Sequence, residues 1–562
     1  MVISVVEEMR LALEKALVEA VRKAVEVKEL PPVELPGFVV EVPREREHGD
    51  FATNLAMLLP RQARMAPRKI AEVLIQNLPH STRWLEKVEV AGPGFINFIL
   101  DPRWVLEAVP LAVNRQADYG RVQLGENKKV QVEFVSANPT GLLHMGNARG
   151  AALGDSIASI LAFAGWQVTR EYYINDAGNQ IENFALSVEA RYFELLGLEG
   201  EVPEGGYHGQ DIIDTARRYI EEHGDKLLKV DRRVRLETLA QYALAEKIEG
   251  IKKALADFGV VYDVWFSEQS LHDAGKVDEA IQRLRERDFL YEHEGALWFR
   301  ATSLGLEKDE VLVRNNGLPT YFAADIAYHM DKFNRGFDRV INIWGADHHG
   351  HVARLKSALQ ALGYDPDTLQ VLLMQLVRLF SGGEIVRMSK RTGQFITLEE
   401  LVDEVGLDAA RYFFIMRSAD SHLDFDLDLA RTQSNDNPVY YVQYAHARIC
   451  SIFRQLKEQG RQAPNPKDVD IELLREEAEL ALARRLADFP EEVALAARQL
   501  APHRLTRYVH EVAGLLHSFY NIHRVITDDV TLTDARLLLM EATKVVLRNA
   551  LALLGVKAPE KM

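Results

Sequence analysis

Glu133-Phe-Val-Ser-Ala-Asn138-Pro139-Thr-Gly141-Leu-Leu-His144-Met-Gly146-Asn147 gathers a carboxylate, two amides, an imidazole and two glycines in one short stretch. It begins where the strand-like run Lys129–Val135 ends. It finishes where a small-residue helical run, about 146–165, begins. Open α/β sheets hold ligands at such strand ends. A helix N-terminus offers free N–H groups and a positive dipole end, both suited to phosphate. His144 can donate to phosphate oxygens in a transition state, and Gly146 leaves room for a nucleotide ring. Taken alone, the stretch also reads as a loop with an Asn cap. A second stretch, Phe380-Ser-Gly382-Gly383-Glu-Ile-Val-Arg387-Met388-Ser389-Lys390-Arg391-Thr-Gly393, combines a glycine-rich loop with three cations. Such a loop can clamp a polyphosphate. By itself it reads first as an ordinary solvated basic turn.

Two further clusters carry chemistry. Gly345-Ala-Asp347-His348-His349-Gly-His351 places three imidazoles beside a carboxylate, the donor types of a metal site. Tyr440, Tyr441, Tyr444 and Arg448 lie on one helical run, with Tyr441, Tyr444 and Arg448 at i, i+3 and i+7 on one face. Aromatic and guanidinium planes stack on splayed bases. The plain alternative is a core stripe, which the cation Arg448 makes less comfortable.

Together the first two stretches resemble the nucleotide-binding signatures of class I aminoacyl-tRNA synthetases. The usual His-Ile-Gly-His appears as His144-Met145-Gly146-Asn147, and Lys-Met-Ser-Lys-Ser as Arg387-Met388-Ser389-Lys390-Arg391. Asn147 replaces a histidine but still donates a hydrogen bond. Arg387 replaces the first lysine, so the cationic role rests mainly on Lys390. The resemblance narrows to arginyl-tRNA synthetase through Glu133–Asn147, through Tyr321-Phe-Ala-Ala-Asp325-Ile-Ala-Tyr328-His329, through Asp408-Ala-Ala-Arg411-Tyr412 and through Gly92-Pro-Gly-Phe95-Ile-Asn97. These matches run in order along nearly the whole chain.

The resemblance implies an L-arginine–tRNA ligase working in two ATP-dependent steps. His144, Asn147 and Lys390 would stabilise developing charge. Pro139, Gly141, His144, Gly146, Asn147, Gly345, Asp347, Met388, Ser389 and Lys390 would hold ATP, accompanied by Mg2+. Glu133, Asn138, Tyr321, Asp325, His348 and His349 would hold arginine. A guanidinium wants a planar carboxylate partner, and Tyr321 and Asp325 share one helix face. Phe95 and Asn97 would touch the tRNA elbow. Tyr441, Tyr444, Arg448, Tyr520, Arg524 and Met562 would touch the anticodon. The 345–351 cluster is then a substrate loop rather than a metal site. The rival readings are another class I synthetase or nucleotidyltransferase, or a non-catalytic RNA-binding paralogue.

The elements that must position these residues divide into three. Residues 1–112 read as a small α+β domain: a helix from about Val5, a turn at Pro31–Gly37, a strand at Phe38–Val42, a helical stretch from Phe51 to Leu78, and two strands joined by Gly92-Pro93-Gly94. Residues 113–430 alternate strand and helix, which predicts a Rossmann-type parallel sheet. Strands are expected at 129–135, 167–174, 339–344 and 370–374, with a charged helical insertion at about 180–258. Residues 431–562 read as all-helical, the anticodon-binding domain by resemblance.

Composition bounds the rest. The 562 residues hold 67 Lys plus Arg against 83 Asp plus Glu, a net charge of −16. That argues against a protein coating nucleic acid by bulk charge, while leaving room for a local basic surface. Residues 431–562 carry 18 basic against 17 acidic side chains, so the acid lies elsewhere. The lone Cys450 excludes an internal disulfide framework or a cysteine zinc ribbon. No zinc, no membrane span, a cytoplasmic setting and a monomer are expected.

Overall fold

The computed structural model describes residues 4–43, 45–79, 83–386 and 396–562. The N-terminal part opens with helix Val5–Glu26, capped by the Ser4 side chain on the Glu7 N–H. Val6, Leu13, Leu17 and Val21 bury one face of it. It precedes a four-stranded antiparallel sheet whose spatial order is Val40–Glu41, Phe51–Thr53, Phe95–Leu100, Leu85–Ala91. The predicted 51–78 helix is a correction. Phe51–Thr53 pairs with Phe95–Leu100, and helices follow at Leu55–Leu58, Pro60–Ala63 and Pro67–Asn77. Pro60 and Pro67 each open a helix, because proline suits a first turn and breaks a continuing one. The predicted strand at Phe38–Val42 shortens to Val40–Glu41.

The middle part is built on five parallel strands: β1 (Lys129–Glu133), β2 (Gln167–Ile174), β3 (Val264–Ser267), β4 (Arg339–Gly345) and β5 (Leu369–Met374). Their order is β5-β4-β1-β2-β3. The chain winds outward from β1 to β3, then returns to lay β4 on the other side of β1. The topological switch point, and hence the ligand crevice, lies beyond the carboxyl ends of β1 and β4. Helices α1 (Met145–Phe163), α2 (Tyr321–Asn334), α3 (His349–Ala361) and α4 (Leu407–Ile415) bring site residues to it or brace it.

The predicted strand 129–135 stops at Glu133, because Val135 and Ser136 both turn left-handed, at φ 68° and 40°. Neither residue, least of all β-branched Val135, favours that region. The turn is held by Ser136 Oγ, which donates to Glu133 Oε1 at 3.1 Å and accepts the Tyr173 N–H at 3.1 Å. Small residues let α1 lie close on β1: a Cβ on Gly154 would fall 2.1 Å from the Phe134 ring.

Between β2 and β3 run helices Asn179–Leu195, Gln210–His223 and Arg232–Asp257, with a core of their own around Phe184, Tyr192 and Leu239. Two small sheets escaped the sequence reading: an antiparallel one over Leu290–Val313, and one joining Val377–Ser381 to Glu384–Val386 and Leu423–Asp426. The C-terminal part is helical throughout its main elements, including α5 (Pro438–Glu458), α6 (His503–Ile522) and α7 (Val530–Leu553). Buried Arg411 on α4 ties the parts together. It donates to Asp155 Oδ2 at 2.6 Å and to the carbonyls of Phe258 and Leu554.

Candidate active site and RNA-facing surface

A cavity of about 640 Å³ opens at the switch point. Glu133, Asn138, Gly141, His144 and Asn147 reach it from the β1 end, Tyr321 and Asp325 from α2, and Gly345 and His348 from the β4 end. A second cavity, of about 500 Å³, shares His144, Asn147 and Gly345 with the first and adds Gly146, Asp347, Met374 and Leu379. The two chambers therefore meet at the first turn of α1. The more polar one holds Glu133 and Asp325. The more apolar one suits a purine ring.

The α1 N-terminus is built by its own sequence. His144 is the N-cap, and Asn147 Oδ1 accepts the His144 N–H at 3.0 Å. The Asn147 amide nitrogen is left to donate, which a histidine would do by its ring. The Gly146 N–H donates to His144 Nδ1 at 3.1 Å, so the ring proton of a neutral His144 sits on Nε2. Partial enclosure lowers the His144 pKa, which favours that neutral donor at pH 7.

Arg387, Met388, Ser389, Lys390 and Arg391 lie outside the described residues. Their neighbours on either side, Val386 and Ile396, both line the second cavity. Leu398 then donates its N–H to the Leu143 carbonyl at 2.9 Å, and Thr397 bridges to His144. The segment that follows the second signature is thus joined backbone to backbone to the first.

In the first cavity His351 Nε2 lies 2.7 Å from Asp325 Oδ2. His349, expected at this place, lines neither cavity and is exposed. Two residues along a helix is a rotation of about 200°, so when one of these imidazoles faces Asp325 the other faces away. Glu133 differs from expectation too. Its Oε2 is already paired with Lys332 Nζ at 2.5 Å, and it is buried. Pro139 is buried and lines neither chamber.

The sequence reading missed Glu268, at the carboxyl end of β3, and Tyr173, near the end of β2. Both line the first cavity. Burial, then the charge of Asp325, pushes the Glu268 carboxyl up to about 7. Two acids held together without a cation repel each other. A guanidinium between Asp325 and Glu268 would relieve that. The only sequence signal for Glu268 is an acid directly after a strand end, and Val264–Ser267 is too short to announce itself.

On the surfaces expected to meet RNA, Phe95 stands exposed at the start of its strand, while Asn97 is only 6% exposed. The aromatic is available to a partner and the amide is enclosed by its sheet. In the helical domain the Arg448 guanidinium lies over the Tyr520 ring at 4.3 Å. Tyr441 packs within 4.9 Å of His510 and 4.7 Å of His517, and Tyr444 is half-exposed beside them. Arg524 and Met562 are exposed. The chain end is tied along α5, with the Pro559 carbonyl 2.8 Å from His446 Nδ1 and the Lys557 carbonyl accepting from Gln443 at 2.9 Å.

A parallel sheet whose switch point carries a capped His-x-Gly-Asn turn, with the flanks of a basic loop on the same chamber, defines a class I aminoacyl-tRNA synthetase. Residues 108–424 match the class I (R) tRNA synthetase catalytic domain. The fold likeness extends to methionyl-tRNA synthetase of Mycobacterium tuberculosis, at TM-score 0.54 and 14% identity over 76% of this chain and 91% of that one. Residues 11–100 match the arginyl tRNA synthetase N terminal domain, and 442–562 the DALR anticodon binding domain. Among relatives, the arginine–tRNA ligase of Desulforamulus reducens is 63% identical over 99% of both chains. That of Moorella thermoacetica is 61% identical over 100% of both. The arginyl-tRNA synthetase structure of Thermus thermophilus aligns at TM-score 0.72 and 25% identity, over 98% of this chain and 100% of that one. The chain belongs to the arginyl-tRNA synthetase family.

Proposed function

We propose that the chain joins L-arginine to its cognate tRNA in two steps at the paired chambers. The arginine carboxylate attacks the α-phosphorus of ATP in line, giving arginyl-adenylate and pyrophosphate. The 2′-hydroxyl of the tRNA terminal adenosine then attacks the activated carbonyl and releases AMP. Catalysis is positioning and charge stabilisation, with no covalent protein nucleophile. In this reading the first chamber takes arginine, with its guanidinium between Asp325 and Glu268 and with Asn138, Tyr321 and His348 around the rest. The second takes ATP, with Gly146 and Gly345 under the nucleotide, Asp347 at the edge, and His144, Asn147 and Lys390 at the phosphates. Magnesium enters with ATP as part of that substrate. Among the described residues no group of three or more His, Cys, Asp or Glu is arranged to hold a metal.

The observation that carries the reading is the joining of an acidic chamber to an apolar one at the His144–Asn147 turn. We divide the chain at 112/113 and 430/431, with the insertion at about 180–258. Phe95 serves the tRNA elbow, with Asn97 two residues along the same strand. Tyr441, Tyr444, Arg448, Tyr520, Arg524 and Met562 serve the anticodon. The enzyme acts as a cytoplasmic monomer. No described helix is long and apolar enough to cross a membrane. The decisive test is ATP–pyrophosphate exchange with each amino acid, with and without tRNA. Exchange with arginine that depends on tRNA is expected. Exchange driven by another amino acid would overturn the assignment.

A further inference from the structure

Lys332, near the end of α2, is wholly buried. Stripping water from an ammonium costs several kcal/mol unless partners replace it. Its partners are unequal in kind. Nζ donates to Glu133 Oε2 at 2.5 Å and to Asn342 Oδ1 at 2.9 Å, and sits 4.2 Å from the Tyr328 ring. The nearby acid Glu171 is satisfied otherwise, by the two terminal guanidinium nitrogens of Arg335 at 2.5 and 2.9 Å and by the Tyr328 hydroxyl at 2.6 Å. Lys332 is therefore committed to Glu133.

The Asn342 contact continues inward. Because Asn342 Oδ1 accepts from Lys332, its amide nitrogen must be the donor to His329 Nε2, at 2.7 Å. That leaves the His329 proton on Nδ1, which donates to the Asp325 carbonyl at 2.8 Å. One ammonium thus holds the cavity wall from two sides: Glu133 on the sheet directly, and the backbone of Asp325 on the helix through an amide and an imidazole. Each link has a single consistent donor direction, so the chain cannot reverse without losing a hydrogen bond.

We propose that Lys332 is a positioning residue for arginine binding, which sets the Glu133 and Asp325 walls of the substrate cavity through its ion pair and through Asn342 and His329. The proposal rests on the reading that this cavity takes arginine. It also assigns Glu133 a neutralised, wall-forming part, and leaves the guanidinium to Asp325 and Glu268.

The test is steady-state aminoacylation by the full chain with its cognate tRNA, reading the KM for arginine and for ATP separately. Lys332→Met should raise the arginine KM roughly tenfold or more, the scale for breaking a buried pair, with the ATP KM within about twofold. The double variant Lys332→Met with Glu133→Gln removes both charges. It should recover thermal stability while the arginine KM stays high. An arginine KM restored to the native value in the double variant would mean that the pair only holds the fold, and would overturn the proposal. Should Lys332→Met not fold, Asn342→Ala cuts the second arm alone. It should raise the arginine KM severalfold, and an unchanged value overturns the relay. Asp325→Asn separates the two layers. If it leaves the arginine KM unmoved, the cavity reading fails. If it raises that KM while Lys332→Met does not, only the role of Lys332 fails.

Discussion

His351 of α3 points its Nε2 at Asp325 of α2 across 2.7 Å, so the carboxylate that faces the cavity is oriented by a residue 26 positions away. Asp325→Asn should raise the arginine KM by about 100-fold, the cost of losing a charged hydrogen-bond partner. His351→Gln should cost less, about tenfold, because it disturbs aim rather than charge. Arginine saturation curves at fixed ATP and tRNA decide both. A flat response to Asp325→Asn would remove it from the binding site.

The raised Glu268 carboxyl makes arginine binding pH-dependent. Its ionised form is the one that meets a guanidinium, and its pKa lies at about 7. Affinity for arginine should therefore climb roughly tenfold from pH 6 to pH 8 and level off above that. The stability sign is opposite to that of a salt-bridged acid. A folded-state pKa above the unfolded one means that stability falls as pH rises from about 4.5 to 7, by about 3 kcal/mol at most. Glu268→Gln should flatten the affinity profile and raise the melting temperature at pH 8 but not at pH 4. Calorimetric titration and thermal melts across that range provide the check.

Gly154 meets the Phe134 ring where a Cβ would sit 2.1 Å from Cγ. Gly154→Ala should destabilise the chain by about 1–3 kcal/mol through overpacking. Adding Phe134→Leu should return none of that, because leucine keeps the Cβ and Cγ that the new methyl meets. Urea titration of the three proteins measures it. Equal midpoints for the native chain and Gly154→Ala would show that α1 can lift from β1 without cost.

Arg448 and Tyr520 form one stacked unit on the surface proposed for the anticodon. Arg448→Ala and Tyr520→Ala should each weaken tRNA binding. The double variant should be no worse than the weaker single by more than about 0.5 kcal/mol, because each loss already dismantles the stack. Strictly additive losses in a filter-binding cycle would show two independent contacts.

Lys390→Ala should slow arginyl-adenylate formation by about 100-fold and leave tRNA affinity within about twofold, if its charge acts on the phosphates in the transition state. Single-turnover adenylate formation separates these. Equal rates would refute the clamp.

Much of the fold was legible because it is written in local periods. The small-residue run after Gly146, the strand Gln167–Ile174 and the proline-punctuated helices after 431 all appear at or near their predicted places. The misreadings share one cause. Phe51–Thr53 looks helical beside its neighbours and becomes a strand only because Phe95–Leu100 offers it partners. Val264–Ser267 is four residues long, and its identity comes from pairing with β2.

The same division runs through the site. Sequence alone determined the chemistry that sits within one turn or one motif: the helix start at His144–Asn147, the Tyr321–Asp325 helix face, the cationic stretch around Lys390, and the acid surplus outside the last domain. That His144, rather than an asparagine, caps that helix came from the structure. Tertiary structure decided which distant groups meet: Glu268 with Asp325, His351 in place of His349, Arg448 over Tyr520, and Lys332 with Glu133 across 199 residues. Spacing along a chain specifies neighbours only over the reach of a helical turn or a strand pleat. Contacts beyond that follow from strand order and helix packing, which a reading of local periods does not resolve.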